Sequence, residues 1–230
     1  MHLRSIPVLT LGAVAALLSS SWLGHSQQST PTRRPAPPAH APVGPKGAIA
    51  MPPDRAADSY AIYSLLMPGQ VFSSMAPEQN RQWAIAEVTV NEQDRNPAIP
   101  PQGQLKAPPD HVQAFNEAVG DYQANRYVRV QLTQKPFTVG HSFTLLAPDQ
   151  VDELRAAKAS STAPSEVQSR WAGYPGITFF SEVYFDTHHT AALVFMNDWC
   201  SHLCAAGSWI YLEKQGGRWQ RRSGIVVPGA

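Results

Sequence analysis

The chain lacks the short motifs that announce a chemistry. It holds no G-x-S-x-G nucleophile elbow, no H-E-x-x-H zinc motif and no glycine-rich phosphate loop. Cysteine is scarce, with two in 230 residues. Charge is scarce too, 18 Lys and Arg against 17 Asp and Glu. That near-balance has none of the one-sided basic footprint of a nucleic-acid binder. The one local excess, Lys214, Arg218, Arg221 and Arg222, falls on an expected hairpin and reads as the solvated charge that keeps edge strands from self-pairing. No apolar run reaches the roughly 20 residues needed to span a bilayer.

What is present divides the chain in three. Residues 1–26 read as a secretory signal peptide: Arg4 near the start, an apolar core from Ile6 to Leu18, and Gly24-His25-Ser26 as a small-x-small cleavage site. Its removal leaves a mature chain of zero formal net charge and no membrane span. Residues 27–53 carry eight of the 21 prolines and few large apolar groups, so they read as an extended, disordered linker. Residues 54–230 suit one domain, long enough to bury roughly 70% of its unfolded surface without several disulfides.

Within that domain Asp54 is expected to cap a helix that ends at Pro68-Gly69, with Ile62, Leu65 and Leu66 on its apolar face. Trp83 to Val90 reads as a strand and the proline-rich stretch from Asn91 to Pro109 as a long loop, functional or mobile. Asp110 is expected to cap a helix in which Val112, Phe115, Val119 and Tyr122 share a face. Arg126 to Leu132 reads as a strand, Pro148 starts a third helix and Ser165 to Ala172 a short fourth.

The most informative stretch runs from Ser181 to Trp219 and holds both cysteines. Residues 179–186 alternate with strand period, Ala191 to Met196 and Trp209 to Lys214 are runs of strand formers, and Gly216-Gly217 is a hairpin signal. These elements predict a four-stranded antiparallel meander. The class is therefore α+β, with N-terminal helices and one or two strands packed on that meander.

The pattern Ser181-x-Val183-x-Phe185-Asp186, Ala192-Leu193-Val194-Phe195, Cys200-x-x-Leu203-Cys204-x-x-Gly207, Leu212-Glu213-Lys214-x-x-Gly217-x-Trp219 resembles the C-terminal signature of a family of uncharacterised secreted bacterial proteins. Tyr174-Pro175-Gly176 also fits, while Ser201 and Ala205 stand where that family's pattern has glycine. The resemblance implies an exported α+β domain and no known activity.

Cys200 and Cys204 are the first candidates for chemistry. In an oxidising compartment paired cysteines persist as disulfides, and a four-residue separation in a turn allows the bridge. It would pin an 11-residue connection, Asn197 to Gly207, between two strands. Two alternatives use the same residues. Cys200, His202 and Cys204, with His188 or His189 on a neighbouring turn, offer zinc ligands. Cys200 with His202 and Asp198 offers the groups of a thiol hydrolase. Glu182, Asp186 and Glu213 are further acids, read as solvated strand positions. Among the aromatics Trp199, beside the cysteine loop, is the candidate exposed recognition residue.

Three readings of function follow. The first is a non-enzymatic extracytoplasmic module, periplasmic or secreted, with no catalytic residue and no cofactor. It would bind a protein or small molecule through Trp199, His202, His188 and His189 around a stapled loop. The second is a small zinc- or thiol-dependent hydrolase built on Cys200, His202 and Cys204. The third is a helix-and-curved-sheet cone for a small ligand, in the manner of nuclear-transport-factor-like folds, by fold analogy. The intact native mass separates the first two. A mass two hydrogens below the reduced chain is the expected outcome for the disulfide, and the reduced mass plus one zinc would overturn it.

Overall fold

The computed structural model describes residues 44–69, 72, 82–159, 163–201 and 203–227. The expected signal peptide at 1–26, most of the linker and His202 lie outside these residues.

The folded chain begins earlier than Pro53. A 3-10 turn, Pro45–Gly47, leads to β1 (Ile49–Ala50), which pairs in parallel with β3 (Val130–Gln131). Ala48 is fully buried. The linker boundary at 53 is thus corrected, because these residues are paired and packed.

Helix α1 (Pro53–Leu66) starts on Pro53, whose missing N–H costs nothing in the first turn. Asp54 lies inside that turn and is not the cap. Ile62 and Leu66 are buried, whereas Leu65 is exposed. Strand β2 (Trp83–Ala86) follows, with single bridges continuing at Val88 and Val90. The proline-rich loop contains a 3-10 turn at Glu92–Asp94 and a one-turn helix, α2 (Pro101–Gln104). Helix α3 (Val112–Asn125) buries Phe115, Val119 and Tyr122 as the spacing required, with Val112 left exposed. Asp110 does not cap it but pairs with Arg222 at 2.7 Å. Then come β4 (Phe143–Leu146), α4 (Pro148–Ala159) and α5 (Ser165–Arg170). The chain ends in β5 (Ile177–Phe180), β6 (Tyr184–Phe185), β7 (Ala191–Ser201), β8 (Cys204–Gln215) and β9 (Arg218–Arg221). Among the described residues no helix is long and apolar enough to cross a membrane.

The class is α+β. The strands do not form a self-contained four-stranded meander. They join a seven-stranded mixed sheet in the order β4-β2-β5-β7-β8-β9, with β6 also paired to β7. β2 runs parallel to both β4 and β5, and the remaining pairs are antiparallel. Parallel neighbours need long crossovers, which the chain from 87 to 142 and α4–α5 supply. Period-two alternation assigns the two faces. Ala192, Val194, Met196 and Leu212 pack with α1. Leu193 and Tyr211 pack with α3, and Ile177, Phe179 and Trp199 with α4. Covered on both sides, the run from Ile177 to Asp186 is buried throughout.

Arg55 joins these layers. It is 3% exposed, yet its guanidinium meets three acceptors. It donates to the Val183 carbonyl at 2.6 Å, pairs with Asp121 of α3, and lies 3.1 Å from Glu182 Oε1. Asp121 also accepts the Phe185 N–H at 2.9 Å. Burial alone would lower the Arg55 pKa; the carboxylates of Glu182 and Asp121 outweigh it and hold the group above its ordinary value. Arg55→Met is expected to destabilise the domain by about 3–5 kcal/mol in urea unfolding, the cost of leaving a buried ion network one partner short. Adding Glu182→Gln should recover part of that loss; an equal loss in single and double variants would remove Glu182 from the network.

Candidate functional site

The cysteine segment is not an open loop. β7 and β8 stay paired far beyond their apolar runs, from Ala191↔Glu213 to Trp199↔Ala205, and close with Ser201↔Cys204 after an irregularity at Trp199/Ser201. Cys200 and Cys204 are joined by a disulfide, with their Cα atoms 5.2 Å apart. The expected 11-residue connection is the paired end of a hairpin, tipped by Leu203 at 88% exposure.

The candidate binding residues are dispersed. Trp199 is a strand residue, 9% exposed, packed with Ile177 and Phe179. It is part of the core and not the expected exposed aromatic. His188 and His189 occupy the turn before β7, while the cysteines lie at its other end. Eleven residues of strand separate them by roughly 30 Å, so neither histidine joins a ligand set with the cysteines. His188 is exposed. His189 is stacked on Phe185, with ring centroids 4.5 Å apart, and its Nδ1 lies 3.6 Å from Asp58 Oδ2. His202 lies outside the described residues. Among the described residues no three His, Cys, Asp or Glu side chains are grouped for a metal.

The three acids read as solvated are buried instead. Glu182, Asp186 and Glu213 are 1%, 3% and 2% exposed. Each has a structural partner. Glu182 meets Arg55; Asp186 accepts the Thr190 and Ala191 N–H groups, both at 2.7 Å; Glu213 faces Arg222 and His111 at 3.3 and 3.2 Å. Of the basic cluster, Lys214 is tied to Asp58 at 2.7 Å and Arg222 to Asp110, so the hairpin charge is partly structural. The space between α1 and the sheet, where a cone would hold its ligand, is filled by Tyr63, Leu66, Ile85, Phe180, Met196 and Leu212.

The outer edge of β8 is different. Antiparallel pairing alternates, so every second residue turns its N–H and C=O to the same neighbour. Lys214 donates to the Thr190 carbonyl, on the β7 side. Leu212, Ile210, Ser208 and Ala206 therefore also face β7, while Tyr211, Trp209, Gly207 and Ala205 face outward. The Tyr211 carbonyl accepts the Arg222 N–H at 3.0 Å, and the Trp209 N–H donates to Gln104 Oε1 at 2.9 Å. The outward backbone groups of Ala205 and Gly207 have no partner among the described residues. β9 pairs only with Leu212 to Gln215 and does not cover them. Ala205, Ala206 and Gly207 are exposed and carry no charge, no proline and no bulky side chain.

A cleft of about 400 Å³ opens beside this edge, walled by Arg95, Pro97, Ile99, Gln104, Phe195 and Asn197. Arg95 is pinned there. It donates to the Ile99 carbonyl at 2.9 Å, and its guanidinium lies over Trp209 and Phe195 at 4.9 and 5.0 Å. The site thus draws on the long loop, whose length was its one signal in the sequence. The edge itself carried none, because its small residues read as a loop. Compared with known protein families, curated proteins and solved structures, the chain matches none.

The disulfide closes a small ring, so its contribution to global stability is about 2 kcal/mol or less. Replacing both cysteines with serine is expected to leave most of the unfolding free energy intact while amide exchange at Ala206 and Ser208, whose N–H groups face β7, accelerates. Unchanged exchange at those two amides would mean that the bridge does not order the edge.

Proposed function

We propose that this chain is an exported, non-enzymatic binding module that takes an extended segment of a partner protein as an added strand along the outer edge of β8. The observation that carries the reading is the pair of outward-facing residues, Ala205 and Gly207, with four backbone hydrogen-bonding groups open at an uncharged edge. Strand addition draws affinity from such main-chain groups and specificity from pockets that receive alternate side chains. The cleft beside Phe195 and Arg95 is placed to be one such pocket. On this reading the antiparallel part of the sheet, the expected meander, is the unit that presents the hairpin.

Several features support export. The N-terminal pattern is that of a signal peptide, the Cys200–Cys204 bridge suits an oxidising compartment, and the resemblance to secreted bacterial proteins points the same way. The extracytoplasmic location, the resemblance and the partner are parts of this proposal. A zinc- or thiol-dependent hydrolase is less well supported. It needs free thiolates at Cys200 and Cys204 and a histidine from the 187–190 turn, which lies at the far end of β7.

The test is selection of short peptides from a displayed library against the immobilised mature protein. Selected peptides are expected to protect the Ala205 and Gly207 amides from exchange. Ala205→Pro removes one outward donor and no β7–β8 ladder bond, and should weaken capture at least about tenfold with the melting temperature unchanged. Peptides that bind without protecting those amides, or equally well to Ala205→Pro, would sink the proposal.

A further inference from the structure

A second depression lies on the helical face of the sheet, between the parallel strands and α4. It has a volume of about 150 Å³. Its floor is apolar: Ala86, Val88, Leu146, Val151 and Phe179. Its rim holds Lys46, Thr89, Arg155 and Asn197, with the Asp94–Arg129 pair.

The rim is not balanced as a surface ion network is. Asp94 is engaged by Arg129, at 2.9 and 3.1 Å, and by the Asn91 N–H at 2.9 Å. Arg155 has no such counterpart. Its guanidinium lies over Phe179 and Trp199, 5.1 and 5.2 Å from the ring centroids. Among the described residues it makes no hydrogen bond and no ion pair. Lys46 adds a second cation. Asn197 stands at the centre of the sheet, half-buried, and its side-chain amide also lacks a hydrogen-bond partner among the described residues. A guanidinium lying over two aromatic rings, a second cation and an unengaged amide therefore surround one depression with an apolar floor.

We propose that this depression binds a small organic anion, an aromatic-ring-sized apolar body bearing a carboxylate. The size follows from the volume, since an apolar protein cavity of about 150 Å³ accommodates benzene. The head group follows from Arg155, because guanidinium and carboxylate match as two parallel charge-assisted hydrogen bonds. The ring rests on Phe179 and the β2 floor, and Asn197 donates its amide to the second face of the carboxylate. This site does not depend on strand addition at β8, although Asn197 also borders the cleft beside that edge.

The probe is benzoate, titrated into the full mature chain and followed by tryptophan fluorescence and by chemical shifts of the Asn197 side-chain amide. Saturable binding with a dissociation constant of about 1 mM or tighter is expected. Benzamide, of the same shape without the charge, and inorganic phosphate, charged without the ring, should each bind at least about tenfold more weakly. Arg155→Met should weaken benzoate at least about tenfold, and Lys46→Gln, at an exposed residue, by a smaller factor. Ala205→Pro should leave benzoate binding unchanged, which separates this site from the proposed strand edge. Equal binding of benzamide would overturn the anionic head, equal binding of phosphate the ring, and unweakened binding in both the Arg155 and Lys46 variants the site itself.

Discussion

The fold depends on one buried cation. Arg55 on α1, Asp121 on α3 and Glu182 between β5 and β6 are far apart in sequence and meet with Arg55 and Glu182 buried and Asp121 half-buried at the margin. Charges at such depth are tolerated only when paired and hydrogen-bonded. Each element must therefore hold its position for the others to be stable there. The consequences spread locally. The Val183 carbonyl is turned to the guanidinium and the Phe185 N–H to Asp121, so the strand is interrupted between β5 and β6 where its alternating sequence would have run on. The hydroxyl of Tyr63, also on α1, fixes the Ser181 carbonyl in the same interruption at 2.9 Å.

That interruption divides the inner side of β7 between two strands. Its first part is held by β6 and its later part by β5, so one long strand is supported on the inner side from Ala192 to Trp199. β8 shares this support through its ladder with β7, which runs to the disulfide past the irregularity at Trp199/Ser201. The hairpin is thus anchored by the core at its base and by ladder pairing out to a tip with few side chains of its own. Core residues such as Trp199 and Met196 sit at its base. A surface that offers backbone groups needs this arrangement, because a flexible hairpin would lose to chain entropy what the hydrogen bonds contribute.

Periodicity made much of the architecture legible. The helical faces of Phe115, Val119 and Tyr122, the start of α4 at Pro148 and the Gly216-Gly217 hairpin follow from local rules, and the class follows from their order. What was illegible is non-local. β4 is four residues long and pairs in parallel, so no turn signal precedes it. Glu182, Asp186 and Glu213 look solvated because strand acids usually are; only the arrival of Arg55, of the Thr190 turn and of Arg222 makes their burial tolerable. Trp199 looked exposed because the cysteines suggested a loop, whereas the ladder runs through it. The residues of the proposed anion site, Lys46, Arg155 and Asn197, come from three separate segments, and no spacing along one segment relates them.

Gln104 does for β8 what a neighbouring strand would do, since its side chain accepts the Trp209 N–H. With the disulfide-closed tip at the other end, the open edge is bounded to a few residues. A bare, flat edge of uncharged residues is ordinarily an invitation to endless sheet growth. Here a single glutamine from a one-turn helix shortens the open template to a few residues, too few to seed a fibril and, on the proposed reading, enough to dock one strand.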